Sequence, residues 1–221
     1  MSSTLNTWTT NMHPPRNLFI SSSSELELCY SRENMARRDH TFALDEYYHC
    51  YNRGSDKRTI FHDADDYSYF IDSLIAYNSE VTLGKLRLHK TVVGGSKIVD
   101  LLTYSLLPNH FHLVLKEKTT GGISKYIRRV CLGYAMYYNQ KYQHSGSLFQ
   151  GTYKSKWIAS DQNVRQVIGY VYFNNLVHNI NDQNLFRSYI DHNHPLVRVL
   201  NSNKLKEIVQ IIKEQRLSFD D

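Results

Sequence analysis

Cysteine is scarce in this chain: Cys29, Cys50 and Cys131 are the three present among 221 residues. They share no metal-like spacing, and an odd, sparse set excludes a disulfide framework and suits a reducing cytoplasm. Long apolar runs are missing too. No stretch approaches the roughly 18 apolar residues that a spanning helix needs, so no membrane partner is expected. The N-terminus has no apolar segment behind a charged start, which argues against a secretory signal. No segment of the sequence repeats. What is present is a chain long enough for one good core. Its net charge is +5 and its pI about 9.0, which permits a polyanionic partner without requiring one. Tyrosine is abundant, at 17 residues, and serves either to stack on bases or to pack.

Residues 1–40 carry a serine run, Ser21 to Ser24, a Pro14-Pro15 pair and no sustained period, and are expected to be a disordered or loosely docked extension. A start at Met35 would give a compact protein. Residues 41–182 read as the main domain and 183–221 as a helical appendage. Within the domain, Glu46 to Asn52 is an aromatic-rich strand that ends in a turn at Arg53-Gly54. Asp63, Asp65 and Asp66 open a helix in which Tyr67, Phe70, Ile71, Leu74 and Ile75 recur at helical spacing. Residues 79–97 read as an irregular connection. Val99 to Leu107 and Phe111 to Lys116 form a tightly joined strand pair. A long helix follows, about Ser124 to Tyr142. Ser147 to Ile158 reads as extended. Ser160 or Asp161 caps a helix running to about His178. Residues 183–200 read as loop, and 205–217 as a final amphipathic helix. The order strand, helix, strand, strand, helix, strand predicts an α+β fold: a ferredoxin-like split βαβ antiparallel sheet with helices packed on it and extra C-terminal helices.

The stretch Pro108-Asn109-His110-Phe111-His112-Leu113-Val114-Leu115 organises the chain. In a strand, residues i and i+2 point to the same face. His110 and His112 therefore project together while Phe111 turns away. Two imidazoles side by side on a rigid strand make half of a metal site.

Four blocks, in order, carry a family resemblance. They are Tyr47 to Gly54; Ile60 to Asp63 with Asp66, Tyr67 and Phe70; Leu106 to Val114; and Gly146 to Ser155 with Tyr170-Val171-Tyr172-Phe173-Asn174. Together they resemble the REP-associated tyrosine transposases, within the single-tyrosine transposases of the histidine-hydrophobic-histidine class. Thr152 stands where the family often has Arg, and Asn175 where it often has Pro. The resemblance implies an enzyme that nicks and rejoins single-stranded DNA through a 5′-phosphotyrosine link. It implies Mg²⁺ or Mn²⁺ as cofactor, and single-stranded or hairpin DNA as partner, with the protein a monomer or a homodimer. It places the nucleophile on Tyr170 and implies a metal held by His110, His112 and the amide oxygen of Asn174.

Helix geometry is compatible with that assignment. Val164, Val167, Ile168 and Val171 make one apolar stripe, with Tyr170 and Asn174 together on one flank and Tyr172 on the other. Tyr172 is the rival nucleophile. Residues 116–165 hold nine lysines and arginines against Glu117 and Asp161. Lys125, Arg128 and Arg129 share one face of the long helix and suit a phosphate backbone. Lys154 and Lys156, interleaved with Tyr153 and Trp157, would grip and stack a strand. Arg53 is a further DNA-binding candidate. His49, His62, His144 and His178 read as structural or solvated. Two other classes stay open: a catalytically silent single-strand or hairpin DNA-binding regulator, and an RNA-binding sheet.

Overall fold

The structure is a computed structural model that describes residues 41–80, 95–178, 180, 182–200 and 202–215. The expected N-terminal extension and the alternative start at Met35 lie outside the described residues. Five strands and six helices are described: β1 Tyr47–Arg53, α1 Ala64–Ala76, β2 Val99–Leu107, β3 His110–Glu117, α2 Gly122–Lys141, β4 Lys154–Ile158, α3 Asp161–Tyr172, α4 Asn174–Val177, β5 Arg187–Ile190, α5 Pro195–Arg198 and α6 Ser202–Gln215. The strands form one antiparallel sheet in the order β4-β1-β3-β2-β5. The first four in chain order make the expected split βαβ arrangement.

Three helix starts are fixed by nearby side chains. Asp63 caps α1 by accepting the backbone N–H of Asp66. Ser160 caps α3 through Asn163 N–H. The first turn of α2 has no capping side chain of its own. The buried Glu117 carboxylate at the end of β3 accepts from Gly122 N–H at 3.1 Å and Ile123 N–H at 2.7 Å instead. Gly122 N–H also donates to the Thr119 carbonyl, so it is Ile123 N–H that Glu117 saves from being orphaned at the helix N-terminus.

Both faces of the sheet are covered. Tyr48, Cys50, Leu106, Phe111, Leu113 and Leu115 share one face and pack with α1 and α2 into the main core. The other face carries His49, His110, His112, Val114, Thr103 and Ser105, all buried, and α3 lies across it against β2, β3, β4 and β5. Double coverage is why β2 and β3 are buried almost throughout. The stripe Val164, Val167, Ile168 and Val171 is buried as its spacing predicts. Gly169 of α3 packs on Ile208 of α6: a Cβ there would meet Ile208 Cγ2 at 2.6 Å.

Three local expectations are corrected. Residues 183–200 are not loop throughout, because Arg187–Ile190 is a strand on β2 and Pro195–Arg198 a helical turn. Of the extended stretch Ser147 to Ile158, Lys154–Ile158 alone forms a strand. The helix expected to reach His178 ends at Tyr172, and a separate turn begins at Asn174, where two asparagines of low helix propensity follow Phe173.

The four sequence blocks meet at one end of the sheet. Gly54 N–H donates to the Asn109 carbonyl, and Ile60 and Phe61 N–H both donate to that of Pro108. Gln150 N–H donates to the Arg53 carbonyl, and Asn52 Nδ2 to that of Gly151. Gly54 is required there, since a Cβ would run into the Arg58 carbonyl and, at 2.8 Å, into Ile60 Cγ2.

Candidate functional site

Antiparallel pairing sets paired side chains on the same face. One row across the sheet runs Lys154, Tyr51, His112, Ser105, and a neighbouring row runs Lys156, His49, Val114, Thr103. Arg53 pairs with His110. Arg53, Lys154, Lys156, His110 and His112 thus share the face that α3 covers.

The rings on this face are in contact. His110 and His112 have centroids 5.1 Å apart, edge to face. His49, Tyr51 and His112 lie nearly parallel, 5.1 to 5.6 Å apart. His49 Nε2 and His112 Nδ1 are hydrogen-bonded at 2.9 Å. His110 Nδ1 bonds the Asn109 Oδ1 at 2.6 Å. Each ring of the pair is therefore held by Nδ1, and Nε2 is the edge it presents elsewhere. His178 packs edge-on against His110, with centroids 4.9 Å apart.

Tyr170 reaches this cluster from α3. It is 1% exposed, and its ring centroid lies 6.3 Å from that of His112 and 6.4 Å from that of His49. The Tyr172 ring packs on Phe173 instead. Asn174 is fully buried one turn beyond Tyr170. Its Nδ2 lies 3.5 Å from the Ser105 Oγ, on the residue paired with His112. Its Oδ1 accepts no hydrogen bond. A buried amide oxygen left unsatisfied costs about 1–3 kcal/mol and calls for a ligand or a function.

Among the described residues, no three His, Cys, Asp or Glu side chains are placed to hold a metal ion. Two imidazoles would need a ligand of another kind, and the idle oxygen of Asn174, whose amide nitrogen lies against the residue paired with His112, is such a group. Nitrogen and oxygen donors together suit Mn²⁺, with Mg²⁺ accepting the oxygen more readily than the imidazoles.

The family model described as "Transposase IS200 like" matches residues 45–174. The chain belongs to this family. A solved structure titled as a REP-associated tyrosine transposase bound to a REP hairpin is similar in part, at TM-score 0.49 and 12% identity, covering 66% of this chain and 76% of that one. No curated protein matches.

The basic side chains expected to bind DNA in this IS200-like transposase fall on two surfaces. Lys154 lies over the Tyr51 ring, its Nζ 5.8 Å from the centroid, and Lys156 flanks His49 on the edge strand. Lys125, Arg128 and Arg129 line one surface depression with Ser124 and Leu132 on α2, in the helical layer across the sheet from the histidines. Arg129 donates to the Ser79 carbonyl at 2.7 Å, and Lys125 to that of Glu80 at 3.4 Å. The structure does not bring this trio to the histidine face. Tyr153 and Trp157 do not interleave with the β4 lysines on one surface either. They turn to the opposite face, where Tyr153 joins the core and Trp157 Nε1 donates to Glu46.

From the sequence, His49 reads as structural or solvated and Tyr51 as one residue of its strand. The signal was there: His49, Tyr51 and Arg53 stand at i, i+2 and i+4 of β1, one face of a strand. The bond to His112 depends on the β1–β3 register, which no single segment reveals. Among the described residues, no helix is long and apolar enough to cross a membrane.

Proposed function

We propose that this transposase nicks and rejoins single-stranded DNA, with Tyr170 as nucleophile and His110, His112 and Asn174 as the metal-holding set. The targets are hairpin-forming palindromic repeats, as in the REP-associated members of the class, and the setting is the cytoplasm. One observation carries the reading: a helix-borne tyrosine lies against His112, one of the histidine pair, and one turn before a buried asparagine whose carbonyl oxygen is idle.

In this reaction the Tyr170 phenol loses its proton to solvent and its oxygen attacks the scissile phosphorus. The bond to the 3′-oxygen breaks, and that oxygen takes up a proton. The phosphodiester's energy stays in the tyrosyl linkage, so the reverse step rejoins strands without a nucleotide cofactor. A divalent cation held by the His110 and His112 Nε2 atoms and the Asn174 Oδ1 would supply Lewis-acid polarisation of the phosphate. The rigid β3 scaffold holds the two imidazoles at fixed spacing. Lys154, Lys156 and Arg53 share that face and draw the phosphate backbone toward it. A free phenol has a pKa near 10, so its ionisation at neutral pH needs this local positive charge. The protein acts as a monomer or a homodimer.

The near-complete burial of Tyr170 favours one rival, a protein that binds hairpins and never opens its cover. A labelled single-stranded hairpin incubated with protein and Mn²⁺ separates the two. The enzyme gives a covalent protein–DNA adduct that Tyr170→Phe abolishes while the gel shift persists. A shift with no adduct in the wild type would leave the silent binder standing.

A further inference from the structure

We propose that His49 and Asn109 are positioning residues, which fix the tautomer and orientation of the two imidazoles so that both offer a bare Nε2 to a divalent cation. The inference rests on the reading of His110 and His112 as metal ligands.

Asn109 fixes the first of the two rings. Its Nδ2 donates to the Lys57 carbonyl at 3.3 Å, so its Oδ1 is the atom that faces His110. An amide oxygen only accepts. His110 must therefore carry its proton on Nδ1 and keep Nε2 as a lone pair. His112 is held by a second device to the same end. Its Nδ1 lies 2.9 Å from the His49 Nε2. In a bond between two neutral imidazoles one nitrogen donates and the other accepts. If His112 donates, its Nε2 is bare and can ligate. If His49 donates, the His112 Nε2 is protonated and cannot.

The surroundings restrain both rings. His49 and His112 are each 0% exposed, and their planes differ by 19°, with Tyr51 stacked on both. Such packing resists rotation of either ring about its own axis. Outer partners of this kind orient metal-bound histidines, and their loss lowers metal affinity by about 10–100-fold. The arrangement also accounts for an imidazole at residue 49. A neutral ring accepting at Nε2 bonds His112 without adding a charge beside the cation.

The test begins with the unsubstituted full chain, labelled with ¹⁵N and free of metal. Long-range ¹H–¹⁵N correlations report which ring nitrogen carries hydrogen. The expected result is the Nδ1–H form for His110, His112 and His49 alike. His112 in the Nε2–H form overturns the inference whatever the variants do. Mn²⁺ binding followed by electron paramagnetic resonance is the second arm. His49→Leu, which removes the acceptor, is expected to weaken Mn²⁺ by about 10–100-fold. His49→Gln places an amide oxygen near the former Nε2 and is expected to stay within about threefold of wild type, an affinity change of some 0.65 kcal/mol. Wild-type affinity in a folded His49→Leu protein, alongside lost affinity in His112→Ala, overturns the positioning role alone. Wild-type affinity in His112→Ala overturns the metal-site reading itself.

Discussion

The two faces of the sheet are built from similar side chains put to different ends. On the helical face, two buried phenols are tied to the main chain: Tyr126 donates to the Leu74 carbonyl and Tyr134 to that of Ile60. Phe61, Phe70 and Phe111 fill the space between them. Burial pushes the Tyr67 and Tyr104 phenols up to about 12 and those of Tyr126 and Tyr134 upward as well, so none is ready to ionise. On the other face, imidazoles bond imidazoles, lysines line the edge, and the Asn174 oxygen lies buried with no donor. An unsatisfied group stands on each face, the Tyr67 hydroxyl in the core and the Asn174 oxygen beside Ser105, so the surroundings make the difference: rings and aliphatic side chains around the one, imidazoles and lysines on the face of the other.

The contrast breaks first at Phe111 and Asn174. Phe111→Ala should cost about 3–5 kcal/mol of unfolding free energy, measured by urea denaturation, because it empties a 0%-exposed site between Phe70 and Phe149. A loss under about 1 kcal/mol would mean that this face is not the core. Asn174→Leu should do the reverse: stability unchanged or raised by about 1 kcal/mol as an unsatisfied amide is removed, with Mn²⁺ affinity down at least tenfold. Destabilisation with intact affinity would make Asn174 an ordinary core residue.

Lys154 and Lys156 sharpen the comparison further. Each replaced by Ala should flatten the slope of log affinity for single-stranded DNA against log salt by about 1. An unchanged slope in both would move the DNA track away from the histidine face. The smallest effect belongs to the helical layer. Lys141 Nζ lies 2.8 Å from the Asp63 carboxylate and holds that group below the usual carboxylate range. A depressed folded pKa stabilises above the unfolded value, near 3.9, and the contribution is lost as pH falls through the folded one. Asp63 is half exposed, which limits the effect to about half a kcal/mol. Asp63→Asn keeps the helix cap and should remove that part of the acid limb in thermal melts between pH 5 and pH 2; an identical acid limb would contradict the linkage.

Much of this was legible in the sequence, for a physical reason. A period of two placed His110 and His112 on one face, and a period of 3.6 gathered Val164, Val167, Ile168 and Val171 into the buried α3 stripe with Tyr170 on its flank. These are local regularities that survive folding. What was illegible depends on partners distant in sequence. The four residues of β5 make a strand only because β2 offers an edge to Arg187–Ile190. The faces of Tyr153 and Trp157 follow from the β1–β4 register, where a one-residue slip reverses every side chain. The helix break at Phe173 left Asn174 still on the sheet, so the i to i+4 argument reached the right neighbourhood by way of a helix that stops short. The tyrosine count gave two readings, and in the helical layer packing is the one observed.

The central claim is that the phenol on α3 nearest the paired imidazoles performs the strand cut. Trapping the adduct on a labelled hairpin, digesting the protein and sequencing the DNA-bearing peptide by mass spectrometry tests it most directly. The account predicts the nucleotide on Tyr170. Attachment at Tyr172, or at any tyrosine of the helical layer, would contradict it.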